Sequence, residues 1–253
     1  MKATWQNEIL KWTREWGFFF NQDAPRIAFL NEESAVSPHG SARFVKSTVE
    51  PELMKKWLKL CEKEHDALCA PIPSDRILKT PENPSGLKVL RVIDVQDKCV
   101  LNAQIGCRYL TLSYLWGQTP TVRLIKGNVA DLTANGGLAS VWRDLPKTIR
   151  DAIDLVALLG ERYLWADSLC LIQDDYEDMR DGIQKMDLVY EGAVLTIIAA
   201  SGSDANSGLP GVHAGSRRVD QYIEEVKPGV KMTKVPTIYW ALSGTKYMNR
   251  GWT

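Results

Sequence analysis

Residues 109–200 alternate between short apolar runs and amphipathic stretches, and this alternation constrains the fold more than any other feature. The apolar runs are residues 109–116, 163–166 and 194–200. The stretches between them carry apolar residues at three- and four-residue steps, which is the helical period. Strands that alternate with helices are typical of a parallel sheet flanked by helices. We therefore predict an α/β fold in which the three runs are neighbouring strands of one mainly parallel sheet.

The two connecting helices are indicated by their own residues. Residues 145–160, LPKTIRDAIDLVALLG, contain Thr148 and Asp151 in the spacing of a capping box. Gly160 suits the left-handed backbone position that follows many helices. Residues 175–190 show a second helical pattern. Both segments are long enough to connect parallel strands.

The rest of the chain divides by composition. Residues 1–50 lack a sustained period and are predicted to be a peripheral leader. Residues 51–85 are predicted to form a helix, spanning 51–69, and a Pro-rich connector. Residues 86–253 are predicted to hold the main domain, with a short strand pair at its start and added β elements in QYIEEV and TIYWAL. Because the chain stops at RGWT, we expect this domain to be truncated at its carboxyl end.

Charge and cysteine content restrict the cellular setting. Lys and Arg number 31 and Asp and Glu number 31, so the chain has no general attraction for nucleic acid or anionic membranes. Its start lacks the apolar segment of a signal peptide, and AVLTIIAA is too short to span a bilayer. Five irregularly spaced cysteines are typical of reduced thiols. We expect a cytoplasmic protein with no nucleic-acid partner and no membrane span.

Polar and aromatic residues follow the predicted strands at their carboxyl ends, where parallel sheets bind ligands. Ser113, Trp116 and Gly117 end the first strand, and Asp167 and Ser168 follow the second. We predict that Ser113, Trp116, Asp167 and Ser168 line one crevice, and that these four residues and Gly117 bind a cofactor. Two alternatives stay open: Asp167 or Ser168 caps the next turn, or Trp116 packs in the core.

Cysteine and histidine residues suggest two further sites. Cys170 has no histidine close in sequence and is expected to be a buried structural thiol. Cys61, His65 and Cys69 recur every four residues along the helix predicted for residues 51–69. Neighbouring pairs at this spacing can bind zinc, but a third ligand another turn away would not reach the same ion. We therefore expect a packed helix face and no metal site.

Several separated motifs resemble the fungal heterokaryon incompatibility (HET) domain. They are YLTLSYLWG, LPKTIRDAIDLVALLGERYLWADSLCLIQDD, KMDLVYEGAVLTIIAASGSDANSGLPG and RGWT, in the order of that family. Arg250 and Trp252 match the start of its R.WT.QE motif. The resemblance covers roughly residues 53–253 and implies a role in self/non-self recognition and programmed cell death after unlike fungal cells fuse. It also implies protein partners of that pathway, or a homo-oligomer.

The HET family is distantly similar to TIR domains, which implies a flavodoxin-like sheet. Some TIR domains cleave NAD, and others only assemble through interfaces. The family often has a glutamate four residues before the methionine that matches Met186, but this chain has Gly182 there. We therefore expect an effector that acts by assembly or partner binding. The alternative is an NAD-cleaving hydrolase, with NAD as substrate or ligand. The nearby acids Glu177, Asp178 and Asp181 are expected to form a solvated helix face and not to replace the missing glutamate.

Overall fold

The computed structural model describes residues 26–30, 42–65, 69–118 and 120–249 of the chain. In chain order the strands are β1 (Arg26–Phe29), β2 (Arg91–Asp94), β3 (Cys99–Asn102), β4 (Tyr109–Ser113), β5 (Tyr163–Trp165), β6 (Leu195–Ile198), β7 (Ile223–Lys227) and β8 (Val230–Val235). The helices are α1 (Pro51–Glu64), α2 (Ser74–Ile77), α3 (Val129–Thr133), α4 (Gly137–Ser140), α5 (Lys147–Leu158), α6 (Asp167–Cys170), α7 (Tyr176–Gln184), α8 (Met186–Glu191) and α9 (Ile238–Leu242), with a 3-10 turn at Lys246–Asn249. Of the described residues, those in 45–220 and 244–249 form one compact unit, and those in 26–44 and 221–243 form another.

The main sheet has five strands in the order β3-β2-β5-β4-β6. Strand β4 pairs in parallel with both β5 and β6, so that Leu110 lies opposite Leu164 and Leu195. The predicted α/β fold and its three neighbouring strands are therefore confirmed. The sheet is nevertheless mixed, where a mainly parallel one was predicted, because β2 pairs antiparallel with both β3 and β5. A tight turn joins β2 to β3 and permits their antiparallel pairing, whereas parallel neighbours need a crossover.

The core of this unit lies around β4 and the crossover helix α5. Every residue of β4 is buried. Helix α5 is the last helix in the connection from β4 to β5 and buries Ile149, Ile153 and Val156. Each such side chain contributes about 1.5–3 kcal/mol when it is removed from water. Burial of these residues therefore holds the helix against the strands whose ends form the candidate site.

The amino-terminal end of α5 differs from the predicted capping box. The Thr148 hydroxyl accepts a hydrogen bond from the Gly208 N–H at 3.0 Å, and the Asp151 carboxylate accepts one from the Leu209 N–H at 2.7 Å. Both side chains therefore anchor a distant loop instead of closing their own helix. The prediction for Gly160 is confirmed, since its φ is +75°.

Two predicted helices have different bounds in the structure. Helix α1 ends at Glu64, whereas the sequence pattern predicted a helix to residue 69. The helix predicted for residues 175–190 is divided into α7 and α8 at Lys185, whose φ and ψ are −122° and 22°. Asp175 is the N-cap of α7, and its side chain accepts hydrogen bonds from the backbone N–H groups of Glu177 and Asp178. Within the described ranges, no helix combines the length and apolar character needed to cross a bilayer.

The smaller unit contains an antiparallel sheet in the order β1-β8-β7. The segment QYIEEV contributes β7, as predicted. The segment TIYWAL contains α9 instead of the predicted strand, because Thr237 accepts a hydrogen bond from the Trp240 N–H at 3.1 Å and so caps a helical turn. Of the leader predicted for residues 1–50, the structure describes only residues 26–30 and 42–50. The motif residues Arg250 and Trp252 lie outside the described residues.

Candidate functional site

The carboxyl ends of β4, β5 and β6 lie at one edge of the main sheet because the three strands are parallel neighbours. The segments that follow β4 and β6 continue side by side. The Ser113 carbonyl accepts a hydrogen bond from the Ala199 N–H at 2.9 Å, and the Trp116 carbonyl accepts one from the Ala205 N–H at 3.2 Å. We call this part of the molecule the carboxyl edge.

Trp116 and Asp167 are in direct contact at the carboxyl edge. The Trp116 indole N–H faces both carboxylate oxygens of Asp167, with nitrogen–oxygen distances of 3.0 and 3.1 Å. The Arg123 guanidinium lies over the Trp116 ring, 4.7 Å from its centre, which is a cation–π distance. An aromatic ring and a guanidinium from the segment after β4 thus lie beside a carboxylate at the start of α6.

Ser168 lies beneath this pair and is only 1% exposed. Its hydroxyl accepts a hydrogen bond from the Tyr114 hydroxyl at 2.8 Å, and its carbonyl accepts one from the Leu124 N–H at 2.9 Å. Burial, together with the charge of Asp167, raises the pKa of Tyr114 well above its ordinary value. Tyr114 therefore remains a neutral donor, and Ser168 connects three segments below the carboxyl edge.

Ser113 and Gly117 lie on the side of the carboxyl edge that faces β6. The Ser113 hydroxyl is 3.5 Å from the Tyr247 hydroxyl. Gly117 has a φ of +70°, and a Cβ atom there would stand 2.5 Å from the Asp204 Cβ. Only glycine combines this backbone conformation with such a close approach. The turn that contains Asp204 can therefore pack directly against the end of β4.

The structure thus places all five predicted residues near the carboxyl edge, although they do not form one group. Trp116 and Asp167 share a hydrogen bond, Ser168 is covered, and Ser113 contacts Tyr247. Binding of a cofactor by these residues stays a prediction. Sequence reasoning missed Tyr114, Arg123, Asp204 and Tyr247. Because each meets its partner only through the fold, no local pattern identified them.

Gly182, at the family's glutamate position, is buried inside the fold. A Cβ atom added to it would stand 2.4 Å from the Leu171 Cδ2 atom. The glycine therefore lets α7 pack closely on the segment after α6. A longer side chain at this position would start by pointing at Leu171, so the position does not offer an open place for a carboxylate in this chain.

Two acids of α7 that were expected to be solvated are in fact paired. Asp178 receives hydrogen bonds from Arg91 at 2.9 and 3.0 Å and from the Ile172 N–H at 2.7 Å. Asp181 accepts from the Lys88 N–H at 2.8 Å and pairs with Lys185. Burial acts to raise the pKa of Asp181, but the Lys185 ammonium and the Lys88 N–H outweigh it and lower the pKa. The solvated reading fits Glu177 only, because that side chain is exposed.

The cysteines singled out from the sequence differ in burial and in their neighbours. Cys170 is fully buried, and burial raises the pKa of its thiol to about 12, which confirms the structural reading. Cys61, His65 and Cys69, in contrast, do not form a packed face. Their ligand atoms converge to within 4.8 Å of one another at a partly exposed point, so these three residues could hold a metal ion. The expectation that a third ligand could not reach the same ion is wrong, because the helix ends before Cys69.

Two surface depressions lie at the end of the main sheet opposite the carboxyl edge, where the parallel strands begin. One is lined by residues that include Lys98 and Trp142, beside the β2–β3 turn. The other is lined by residues that include Cys107 and Val194, just before β4 and β6 begin. Neither contains the residues of the carboxyl edge.

Comparison with known families gives a match over the carboxyl-terminal part of the chain. The family model described as Heterokaryon incompatibility protein (HET) matches residues 109–253, which is more than half of the chain. No curated protein and no solved structure matches. The matched range contains the three parallel strands, both crossover segments and the carboxyl edge.

Proposed function

Because the chain belongs to the heterokaryon incompatibility (HET) family, we propose that it is a cytoplasmic effector of self/non-self recognition that promotes cell death by assembling with itself or with protein partners. The family match over residues 109–253 carries this proposal. It covers the parallel strands and helix α7, so the contacts needed for assembly would come from the matched region itself.

The hydrogen bonds at the carboxyl edge support assembly over catalysis. The Asp167 carboxylate is engaged by the Trp116 indole, and the Ser168 hydroxyl is buried under Tyr114. A carboxylate that handles a substrate needs access to it, whereas these groups hold the loops after β4 and β5 in place. Gly182 supplies no acid and is covered by Leu171. The edge therefore works as a rigid platform in this proposal.

Helix α7 offers a surface for a protein partner. Tyr176 and Ile183 are 74% and 47% exposed, and their seven-residue spacing places them on the same face of the helix. Arg180 lies between them, with its guanidinium 5.7 Å from the Tyr176 ring centre. An aromatic residue, an arginine and an aliphatic residue on one exposed face have the composition found at protein interfaces. The family's partners would contact this face.

Expression in a filamentous fungus from an inducible promoter tests the proposal, with viability and total NAD followed together. We expect induced cells to die while NAD stays constant. The double variant Tyr176→Ala/Ile183→Ser should abolish death, whereas Ile105→Ser should not, because Ile105 is a comparably exposed apolar residue at the opposite edge of the sheet. Normal growth of cells that express soluble wild-type protein would contradict the proposal.

A second candidate is TIR-like cleavage of NAD, favoured by one observation. The parallel strands have the order β5-β4-β6, which corresponds to strands 2-1-3 of a flavodoxin-like sheet, and such sheets bind nucleotides at the carboxyl ends of strands 1 and 3. The Trp116 ring could stack on a base and Arg123 could pair with a phosphate there. In this candidate, Ser113, Trp116, Gly117, Asp167 and Ser168 form the NAD site.

The same cells distinguish the two candidates. Cleavage predicts that NAD falls before viability does and that Asp167→Asn prevents both changes, since Asp167 is the carboxylate beside the Trp116 ring. Assembly predicts death at constant NAD that Asp167→Asn leaves largely intact, provided that the variant remains folded. Circular dichroism of the purified variant checks that condition.

A further inference from the structure

The end of helix α1 brings three soft ligand atoms to one point. The Cys61 Sγ atom is 3.3 Å from the His65 Nδ1 atom and 3.8 Å from the Cys69 Sγ atom. The Cys69 Sγ atom is 3.5 Å from the same His65 nitrogen. This triangle exists because His65 leaves the helix as its C-cap, after which Cys69 returns toward the last turn. A continued helix would have carried Cys69 a further turn away.

The sides of this triangle match those expected around a tetrahedral zinc ion. Zinc binds sulfur at about 2.3 Å and imidazole nitrogen at about 2.0–2.1 Å, and tetrahedral angles then separate two sulfurs by about 3.8 Å and a sulfur from a nitrogen by about 3.6 Å. The observed separations are 3.8 Å, 3.3 Å and 3.5 Å. Two thiolates and a neutral imidazole also balance the charge of one divalent ion. We propose that Cys61, His65 and Cys69 bind Zn²⁺, with water at the fourth position.

Two other arrangements of these residues fit less well. A disulfide between Cys61 and Cys69 would require a sulfur–sulfur distance of about 2.05 Å, far below the observed 3.8 Å. Hydrogen bonds alone would hold this cluster only weakly, because thiols are weak donors and because His65 and Cys69 are exposed to water. Sulfur and imidazole ligands instead favour zinc over the hard cations Mg²⁺ and Ca²⁺.

Metal binding would also secure a helix that packing holds only weakly. No residue of α1 is buried. The helix is connected to the body by Glu62, which pairs with Arg108 at 2.6 Å, and by partial packing of Met54. An ion bound at Cys61 and Cys69 would tie the last turn of α1 to the segment that leads to Ile72. That segment is itself attached to the body, because the Ile72 N–H donates a hydrogen bond to the Glu191 carbonyl at the end of α8. Since metal binding adds directly to the stability of the segments it joins, α1 gains most.

Cobalt titration of the purified, reduced and metal-free full chain tests the proposal. We expect one Co²⁺ per chain, with thiolate-to-cobalt charge transfer and strong tetrahedral d–d bands, and displacement by one equivalent of Zn²⁺. Cys61→Ser, Cys69→Ser and His65→Gln should each weaken binding by more than about a hundredfold, because even outer-shell partners of a metal are worth about 10- to 100-fold. Cys107→Ser is the matched control, since it removes a partly buried cysteine outside the cluster, and it should bind normally.

The unmodified chain provides a second measurement that does not depend on how the variants fold. X-ray absorption of the zinc-loaded protein should show two sulfur neighbours and two nitrogen or oxygen neighbours, and a chelator should lower its melting temperature. A zinc environment without sulfur would overturn the proposal. So would a reduced chain that takes up no metal, or equal loss of binding in Cys107→Ser and Cys61→Ser.

Discussion

The ion pair between Arg91 and Asp178 gives the sharpest test of how α7 is attached to the main sheet. Both side chains are mostly covered, at 12% and 17% exposure. We expect Asp178→Ala to lower the free energy of unfolding by about 3 kcal/mol, since breaking a buried pair costs about 3–5 kcal/mol and the residual water access reduces that value. The lost acceptor for the Ile172 N–H is part of this cost.

The same helix carries a matched control. Glu177 pairs with Arg180 at 2.8 Å, but these side chains are 57% and 48% exposed. Glu177→Ala should therefore cost less than about 1 kcal/mol, including its favourable position in the first turn of α7. The double variant Arg91→Met/Asp178→Leu should recover part of the loss seen in Asp178→Ala, because it removes both charges. The Ile172 N–H would still lack its acceptor, so recovery should be incomplete.

Urea unfolding followed by tryptophan fluorescence measures these differences, with thermal melting as a second observable. A loss of about 3 kcal/mol should lower the melting temperature by roughly 6–12 °C in a chain of this size. Equal effects of Asp178→Ala and Glu177→Ala would show that burial does not distinguish the two pairs and would refute the reasoning.

Three further results are expected. Gly182→Glu should destabilise the protein and should not create NAD cleavage, because the new side chain would meet Leu171. Gly127→Ala should be tolerated, since the nearest atom to its Cβ would be 3.9 Å away. Thermal melting measures the stability of both variants, and a nicotinamide-release assay measures NAD cleavage. Burial acts to raise the pKa of Asp94, but hydrogen bonds from Arg162 and two backbone N–H groups outweigh it and lower the pKa. The ionised Asp94 carboxylate therefore stabilises the fold fully above about pH 3.9, and this stabilisation is lost as the pH falls through the lower pKa of the folded state. Unfolding curves should show that Asp94→Asn loses less stability on acidification than the wild type does. Cys170 should resist iodoacetamide in the folded, metal-free chain while exposed Cys69 reacts, and mass spectrometry of labelled peptides would contradict this if Cys170 were modified without unfolding.

Local patterns were sufficient for the parallel core. The apolar runs became β4, β5 and β6, and the segment around Gly160 ended a helix as expected. These features depend on residues a few positions apart, so periodicity and backbone preference specify them directly. The end of α1 was less predictable, because the helical pattern continues past Glu64 although the chain turns there.

The sequence by itself determined the α/β class, the three parallel strands, the polar residues at their carboxyl ends and the resemblance that the family match later supported. Only the tertiary structure decided that β2 joins β5 antiparallel, that Arg91 neutralises Asp178, and that Leu171 covers Gly182. It also decided that Cys69 returns to Cys61 and His65. The physical reason is that hydrophobic periodicity fixes which face of an element is buried, whereas pairing between distant residues depends on chain reversals and strand order that no local pattern encodes.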